Sequence, residues 1–260
     1  MPAPEPLILL QHVDKVFPIG LQALADVSLA VQGGEFVALL GPSGCGKSTV
    51  LRLAAGLDTP TAGTVAAPAV ANSGASTTAF VFQEPTLMPW ATVFDNVWLP
   101  LRLQGASRAA AAPQVRAVLA RVGLPDVEAA YPAQLSGGMK MRVSIARALV
   151  TQPRVLLMDE PFAALDDITR QALNADLLQW WRAAGNMAAL FVTHSVAEAV
   201  FLSQRIVVMA ARPGRVVAAL VIDAPYPRPD GFRHSAAFTN ACRQLGDALA
   251  AAHGAAQPSA

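Results

Sequence analysis

The run Gly41-Pro42-Ser43-Gly44-Cys45-Gly46-Lys47-Ser48-Thr49 carries the clearest chemistry in this chain. It fits the pattern G-x-x-x-x-G-K-[ST] at Gly41, Gly46, Lys47 and Ser48. Glycines lack a Cβ, so successive backbone N–H groups can curl around phosphate oxygens. A helix that follows adds further N–H donors and the positive end of its dipole. Lys47 can reach the β- and γ-phosphates of a nucleotide, and the Ser48 hydroxyl can bind the Mg²⁺ that bridges them. The run could be only a turn that joins a strand to a helix. Its strand–turn–helix setting favours nucleotide binding instead.

Further groups gain meaning beside that loop. The apolar run Val155-Leu156-Leu157-Met158 ends in Asp159-Glu160. Adjacent carboxylates at a strand tip point in different directions. Asp159 is suited to hold Mg²⁺ through its water, and Glu160 to polarise an attacking water. With a phosphate loop upstream, the alternative of a merely solvated acidic turn is disfavoured. His194 follows another apolar run, where a ring nitrogen could contact a γ-phosphate or simply be structural. Gln83 directly follows Ala79-Phe80-Val81-Phe82 and could bind Mg²⁺ or water, although glutamine is an ordinary loop residue. Ser136-Gly137-Gly138 opens a helix and leaves N–H groups free as a second anion site; taken alone, a helix cap is the simpler reading. Phe17 suits core packing as well as stacking on a base.

These residues need a frame to hold them. Leu7 to Val16 and Ala23 to Val31 read as strands, joined through Pro18 and Gly20, and Phe36 to Leu40 as a buried strand before the phosphate loop. Val50 to Ala55 reads as a helix ended by Gly56. Residues 64–78 are small and polar with few strand formers. From Pro85 the character changes. Thr92 can cap a helix from near Val93, Ser107 one running to about Val122, and Ser136 one through Leu149. Residues 86–150 are therefore expected to form a mostly helical insertion in an α/β frame. Met88-Pro89-Trp90 at its start suits either a loop anchored by a buried Trp or a surface for another protein. Runs at Val155–Met158 and Ala188–Val192 show no alternation, as parallel strands buried on both faces require. Ala164-Leu165-Asp166 opens a long helix to Ala183. Ser195 to Glu198 reads as a capping box, followed by strands at Arg205–Met209 and Val216–Ile222. The Pro-rich residues 1–6 are expected to be disordered, and 224–260 to be Pro-rich chain, then a short Ala-rich helix near 236–252, then a frayed tail.

Bulk properties narrow the function classes. A chain of 260 residues can bury a sizeable core. Hydrophobic residues make up 53%, yet no apolar stretch approaches the ~20 residues of a membrane span. Leu7-Ile8-Leu9-Leu10 is too short for a signal peptide and lacks a basic flank. A cytosolic protein, or one that meets a membrane through a partner, is expected. The net charge of +1 gives no electrostatic case for nucleic acid. Two cysteines, Cys45 and Cys242, make no disulfide or metal framework.

Taken in order, these pieces resemble the nucleotide-binding subunit of an ATP-binding cassette (ABC) transporter. The resemblance rests on the Walker A loop Gly41–Thr49, Gln83 as Q-loop, the signature Leu135–Met139, Walker B with its acid at Val155–Glu160, the D-loop Ala164–Asp166 and the switch His194. It covers roughly residues 7–223. It implies a P-loop NTPase core with a mainly parallel central sheet, a small antiparallel β subdomain and a helical subdomain at about 86–150. It further implies ATP and Mg²⁺ as cofactors and a head-to-tail homodimer. There, Ser136, Gly137, Gly138 and Asp166 face the nucleotide held by the other subunit. By the same resemblance Phe17 stacks on adenine, Ser48, Gln83 and Asp159 hold Mg²⁺, and Glu160, His194, Gln83 and Lys47 serve catalysis. Met139 stands where most of the family has Gln.

Phe82 to Trp90, Met139 and Ala211-Arg212-Pro213-Gly214-Arg215-Val216 are similar to the nitrate/sulfonate/taurine import branch. That likeness implies transmembrane permease subunits, a substrate-binding protein, and a peripheral place on the cytoplasmic face of the inner membrane. Two rivals fit less well. A soluble ABC ATPase of DNA repair or translation is opposed by the neutral charge, the single cassette and the lack of a long coiled-coil insertion. An unrelated P-loop kinase or GTPase is opposed by Ser136-Gly137-Gly138 and Asp159-Glu160. A degenerate scaffold is disfavoured because every catalytic position is filled.

Overall fold

Apolar side chains on both faces of a strand require cover on both faces, and three runs here meet that demand at the centre of one sheet. The computed structural model describes residues 5–69, 77–226, 228–229 and 231–254. Strands β1 (Ile8–Val16), β2 (Gln22–Val31), β3 (Phe36–Leu40), β4 (Ala62–Ala66), β5 (Thr78–Val81), β6 (Val155–Asp159), β7 (Ala188–Thr193), β8 (Arg205–Ala210) and β9 (Arg215–Val221) form two sheets. The larger has the order β5-β6-β7-β3-β8-β9. Its first five strands run parallel, and β9 closes the edge antiparallel to β8. Every residue of β3 and β7 is buried, whereas β9 alternates between exposed and half-buried positions.

Register sets the site. Leu40 pairs with Thr193, and Asp159 with Val192. The segments that leave β3, β6 and β7 therefore emerge together at the C-terminal edge of the sheet. That edge is where open α/β sheets bind ligands.

The second sheet, in the order β2-β1-β4, is antiparallel. Strand β4 lies where the sequence is poor in strand formers, and tertiary pairing supplies what propensity lacks. Its register against β1 shifts between Gln11 and Asp14, with His12 at φ 49°. Gly63 (φ +83°) faces that bulge, and a Cβ there would stand 2.2 Å from the His12 carbonyl oxygen. Gly63→Ala is thus expected to cost about 2–4 kcal/mol. A melting temperature lowered by roughly 5–10 °C would show it, and an unchanged one would contradict it.

Helices α1 (Lys47–Ala54), α2 (Val93–Leu103), α3 (Arg108–Arg121), α4 (Gly137–Leu149), α5 (Asp167–Ala183), α6 (Val196–Leu202) and α7 (Ala236–Gly254) complete the fold. Thr92, Ser107 and Ser136 cap α2, α3 and α4 through their hydroxyls, as their residue types suggest. Helix α5 is pinned to the sheet by Trp181. Its ring lies edge-on to Phe36 at 5.6 Å, and its Nε1 donates to the Met187 carbonyl at 2.7 Å.

Four expectations change in detail. The first helix starts at Lys47 rather than Val50, because Gly46 in the left-handed region opens it directly from the loop. The Ser195 capping box forms on one side only: Ser195 accepts from the Glu198 N–H, but Glu198 turns to Thr193 Oγ1 at 2.6 Å. The last helix is 19 residues long, and Phe238 and Leu245 dock it beside Ile206 and Val208 of β8. Trp90 is 76% exposed, so it does not anchor its loop. That work falls to buried Asn96, which accepts from the Met88 N–H at 2.8 Å and donates to the carbonyls of Met88, Ala91 and Thr92. The expectation of disorder at 1–6 and of a frayed tail falls largely outside the described residues.

Candidate functional site

The loop between β3 and α1 is compressed from two sides. A Cβ on Gly41 would meet the Met209 carbonyl oxygen of β8 at 2.5 Å and the Cys45 sulfur at 2.7 Å. A Cβ on Gly46 (φ +88°) would meet the Leu24 side chain of β2 at 2.5 Å. Only glycine fits such approaches, and the same approaches hold the loop's N–H groups in place. Cys45 is buried among apolar side chains, and burial pushes its thiol up despite the nearby Lys47 ammonium. Lys47 is 5% exposed. Its Nζ donates to the carbonyls of Gly41 at 2.8 Å and Pro42 at 3.0 Å. The ammonium is thereby fixed at the centre of its own loop.

The acidic wall comes from β6. The Ser48 hydroxyl stands beside the Asp159 carboxyl. Burial raises the Asp159 carboxyl above its usual range, and the nearby Ser48 hydroxyl partly offsets this. A hydroxyl beside a carboxylate is an oxygen donor set that suits Mg²⁺, which takes one or two carboxylates together with phosphates and water. Glu160 turns the other way. Its backbone sits at φ 45°, a strained value for a side-chain-bearing residue. Its Oε2 lies 2.8 Å from His194 Nδ1.

Lys47, Ser48 and Glu160 border a cleft of about 630 Å³, whose lining residues do not include Asp159 or His194. Ser43, Gly44 and Gly46 to Thr49 form its phosphate-loop side, and Glu160 faces it from the sheet edge. Phe17 and Leu21 line it from the β1–β2 turn. Phe17 belongs to no core cluster, and the Lys15 ammonium sits 5.3 Å from its ring centre. Lys15 is itself held by Asp58 at 2.5 Å and the Thr59 carbonyl at 2.8 Å.

Residues 24–163 match the ABC transporter family. The chain belongs to that family. The nitrate import ATP-binding protein NrtD of Synechocystis is 46% identical over 205 residues, 78% of this chain and 76% of that protein. The taurine import ATP-binding protein TauB of Burkholderia pseudomallei is 46% identical over 204 residues, 78% of each chain. Among solved structures, a dimeric post-hydrolysis state of the ATP-binding cassette MJ0796 bound to ADP and Pi superposes with a TM-score of 0.70. It is 32% identical and covers 84% of this chain and all of that one, 100%.

The remaining ABC motifs stand outside the cleft lining of their own chain. Ser136 caps α4 by accepting from the Met139 N–H at 3.3 Å. Gly137 and Gly138 pack against α5 and its lead-in: a Cβ on Gly138 would meet Thr169 Cγ2 at 2.8 Å, and one on Gly137 the Leu165 side chain at 3.6 Å. Residues 137–138 and 165–169 therefore pack as one surface. Asp166 caps α5, accepting from the Thr169 N–H at 2.9 Å, and that bond holds its carboxyl below the usual range. Gln83 is exposed just beyond β5, level with the Asp159–Glu160 end of β6.

Two contributions lay outside the reading of the sequence. Arg147 of α4 donates to the carbonyls of Pro85 at 3.0 Å and Thr86 at 2.9 Å, tying α4 to the segment that follows Gln83. Arg212 and Pro213, from the β8–β9 turn, line the same cleft as the phosphate-loop residues. Nothing local in either stretch announces these contacts, because both arise between segments distant in sequence.

Proposed function

We propose that this ABC ATPase is the energy-coupling subunit of an importer, and that two copies close head to tail around two ATP molecules. The observation that carries the reading is the common edge of β3, β6 and β7. It sets the phosphate loop beside the Asp159–Ser48 pair and the Glu160–His194 pair. Lys47 and the loop N–H groups bind the phosphates. Ser48, Asp159 and Gln83 would hold Mg²⁺, which would neutralise phosphate charge when bound. Glu160 takes a proton from water as that water attacks the γ-phosphorus in line; the bond from that phosphorus to the bridging oxygen breaks, the oxygen leaves with ADP, and His194 holds the carboxylate in orientation. Ser136, Gly137 and Gly138 supply N–H donors, and Asp166 a D-loop contact, to the nucleotide of the second copy.

Transport requires a membrane partner, since among the described residues no helix is long and apolar enough to cross a membrane. Permease subunits fill that role and hold the chain at the cytoplasmic face of the inner membrane. A substrate-binding protein delivers the solute. Names of relatives support a small anionic or zwitterionic solute of the nitrate and taurine kind.

Affinity purification from detergent-solubilised membranes of the source tests this. A multi-span permease should co-purify in stoichiometric amount; ribosomal or DNA-repair partners, or no membrane protein at all, would sink the transport reading while leaving the ATPase in place. Trp90 stands exposed on the loop that Asn96 braces. We expect Trp90→Ala to lower permease recovery at least about tenfold, as loss of an exposed aromatic anchor does. ATP affinity should stay unchanged, and full permease recovery would remove Trp90 from the docking surface.

A further inference from the structure

The turn between β8 and β9 borders the nucleotide cleft, yet phosphate chemistry makes no use of it. Three contacts hold it there. The Gly214 N–H donates to the Ala23 carbonyl at 3.0 Å, and the Ala25 N–H donates to the Gly214 carbonyl at 2.9 Å. These bonds form a parallel bridge with Leu24 of β2. A Cβ on Gly214 would stand 2.3 Å from the Cys45 carbonyl oxygen. The turn is thus wedged between β2 and the phosphate loop. Arg212, at φ 61°, and Pro213 stand on the cleft side of this wedge.

The arginine is uncommitted. It is exposed, and among the described residues it makes no hydrogen bond and no ion pair. Arg205, at the opposite end of β8, is by contrast tied to Glu35 at 2.8 Å and to the Ala30 carbonyl. Of the two cations that line the cleft, Lys47 is bound to carbonyls of its own loop. Arg212 is the other. It shares the cleft with Phe17, Leu21 and Pro213, surfaces that suit a flat apolar base rather than a phosphate. A guanidinium is planar and weakly hydrated and stacks on π-systems, which an ammonium does poorly.

We propose that Arg212 is a nucleotide-binding residue whose guanidinium stacks on the base of ATP, so that the cleft grips the base with Arg212 as well as with Phe17. The proposal rests on the ATP site described above. It assigns the β8–β9 turn a role in affinity and leaves the hydrolytic step to Glu160.

Titration calorimetry of the full chain with ATP and with ADP tests it, using Arg212→Ala and Arg212→Lys. Stacking of this kind is worth about a five- to tenfold change in affinity. Arg212→Ala should lose that factor equally for ATP and ADP, with little dependence on salt, and Arg212→Lys should recover only part of it. In turnover, KM for ATP should rise by a similar factor with kcat unchanged. Affinities equal to those of the parent chain would overturn the proposal. So would a loss that is larger for ATP than for ADP and fades with salt, since it would place Arg212 on the phosphates. Lys47→Ala in the same series separates the two levels: if it too binds ATP normally, the site itself is misassigned.

Discussion

Glu160→Gln is expected to bind ATP with nearly the affinity of the parent chain and to hydrolyse it about 10²–10⁴-fold more slowly. The substitution keeps the length and shape of the side chain and removes only its charge and basicity. Glu160 projects into the cleft from the end of β6, while Asp159, one residue earlier, turns to Ser48. A strained backbone at φ 45° sends the two carboxylates apart. Such strain costs on the order of 1–3 kcal/mol and persists only where the surroundings enforce it. Here the Glu160 N–H donates to the Val192 carbonyl at 3.0 Å, and His194 holds the carboxylate.

Single-turnover assays separate chemistry from product release. The variant should also accumulate as a dimer with ATP bound, which size-exclusion chromatography with multi-angle scattering would read. Near-normal turnover would remove Glu160 from the role of base and leave its strain without a function.

The parts of this site that could be read from the sequence are those whose local chemistry has few alternatives. A glycine-rich turn ending in Lys47-Ser48 has one well-known use, and β3, β6 and β7 are buried on both faces, so their apolar runs are unbroken. Caps at Thr92, Ser107 and Ser136 were legible because one hydroxyl meets one orphan N–H. The rest is long-range. Strand β4 exists because β1 offers it an edge and a bulge that Gly63 can cross. Glu198 abandons its capping box for Thr193, a bond that β7 makes available. The exposure of Trp90 follows from Asn96, whose side chain closes the loop from within. Arg212 reaches the cleft only because Gly214 bridges to Leu24. None of these pairings leaves a periodicity for a sequence to show.

Lys47→Ala should lose about ten- to a hundredfold in affinity for ATP, since a hydrogen bond to a charged phosphate contributes about 1.5–3 kcal/mol. An ammonium has three donors, and two are occupied by the Gly41 and Pro42 carbonyls. The third is directed only to the Cys45 sulfur at 3.8 Å, a weak acceptor that a phosphate oxygen readily replaces. Two effects could therefore weaken binding: loss of the charge, and slackening of a loop whose carbonyls lose their donor. Lys47→Met separates them from lost packing, because it restores the buried stem without the charge. If charge and its hydrogen bonds dominate, both variants lose affinity alike and both lose it more for ATP than for adenosine. A Met variant that binds ATP as the parent chain does would mean that Lys47 serves as a filler of the loop and not as a phosphate ligand. Calorimetry on both chains, with melting curves to show that each is folded, decides between those outcomes.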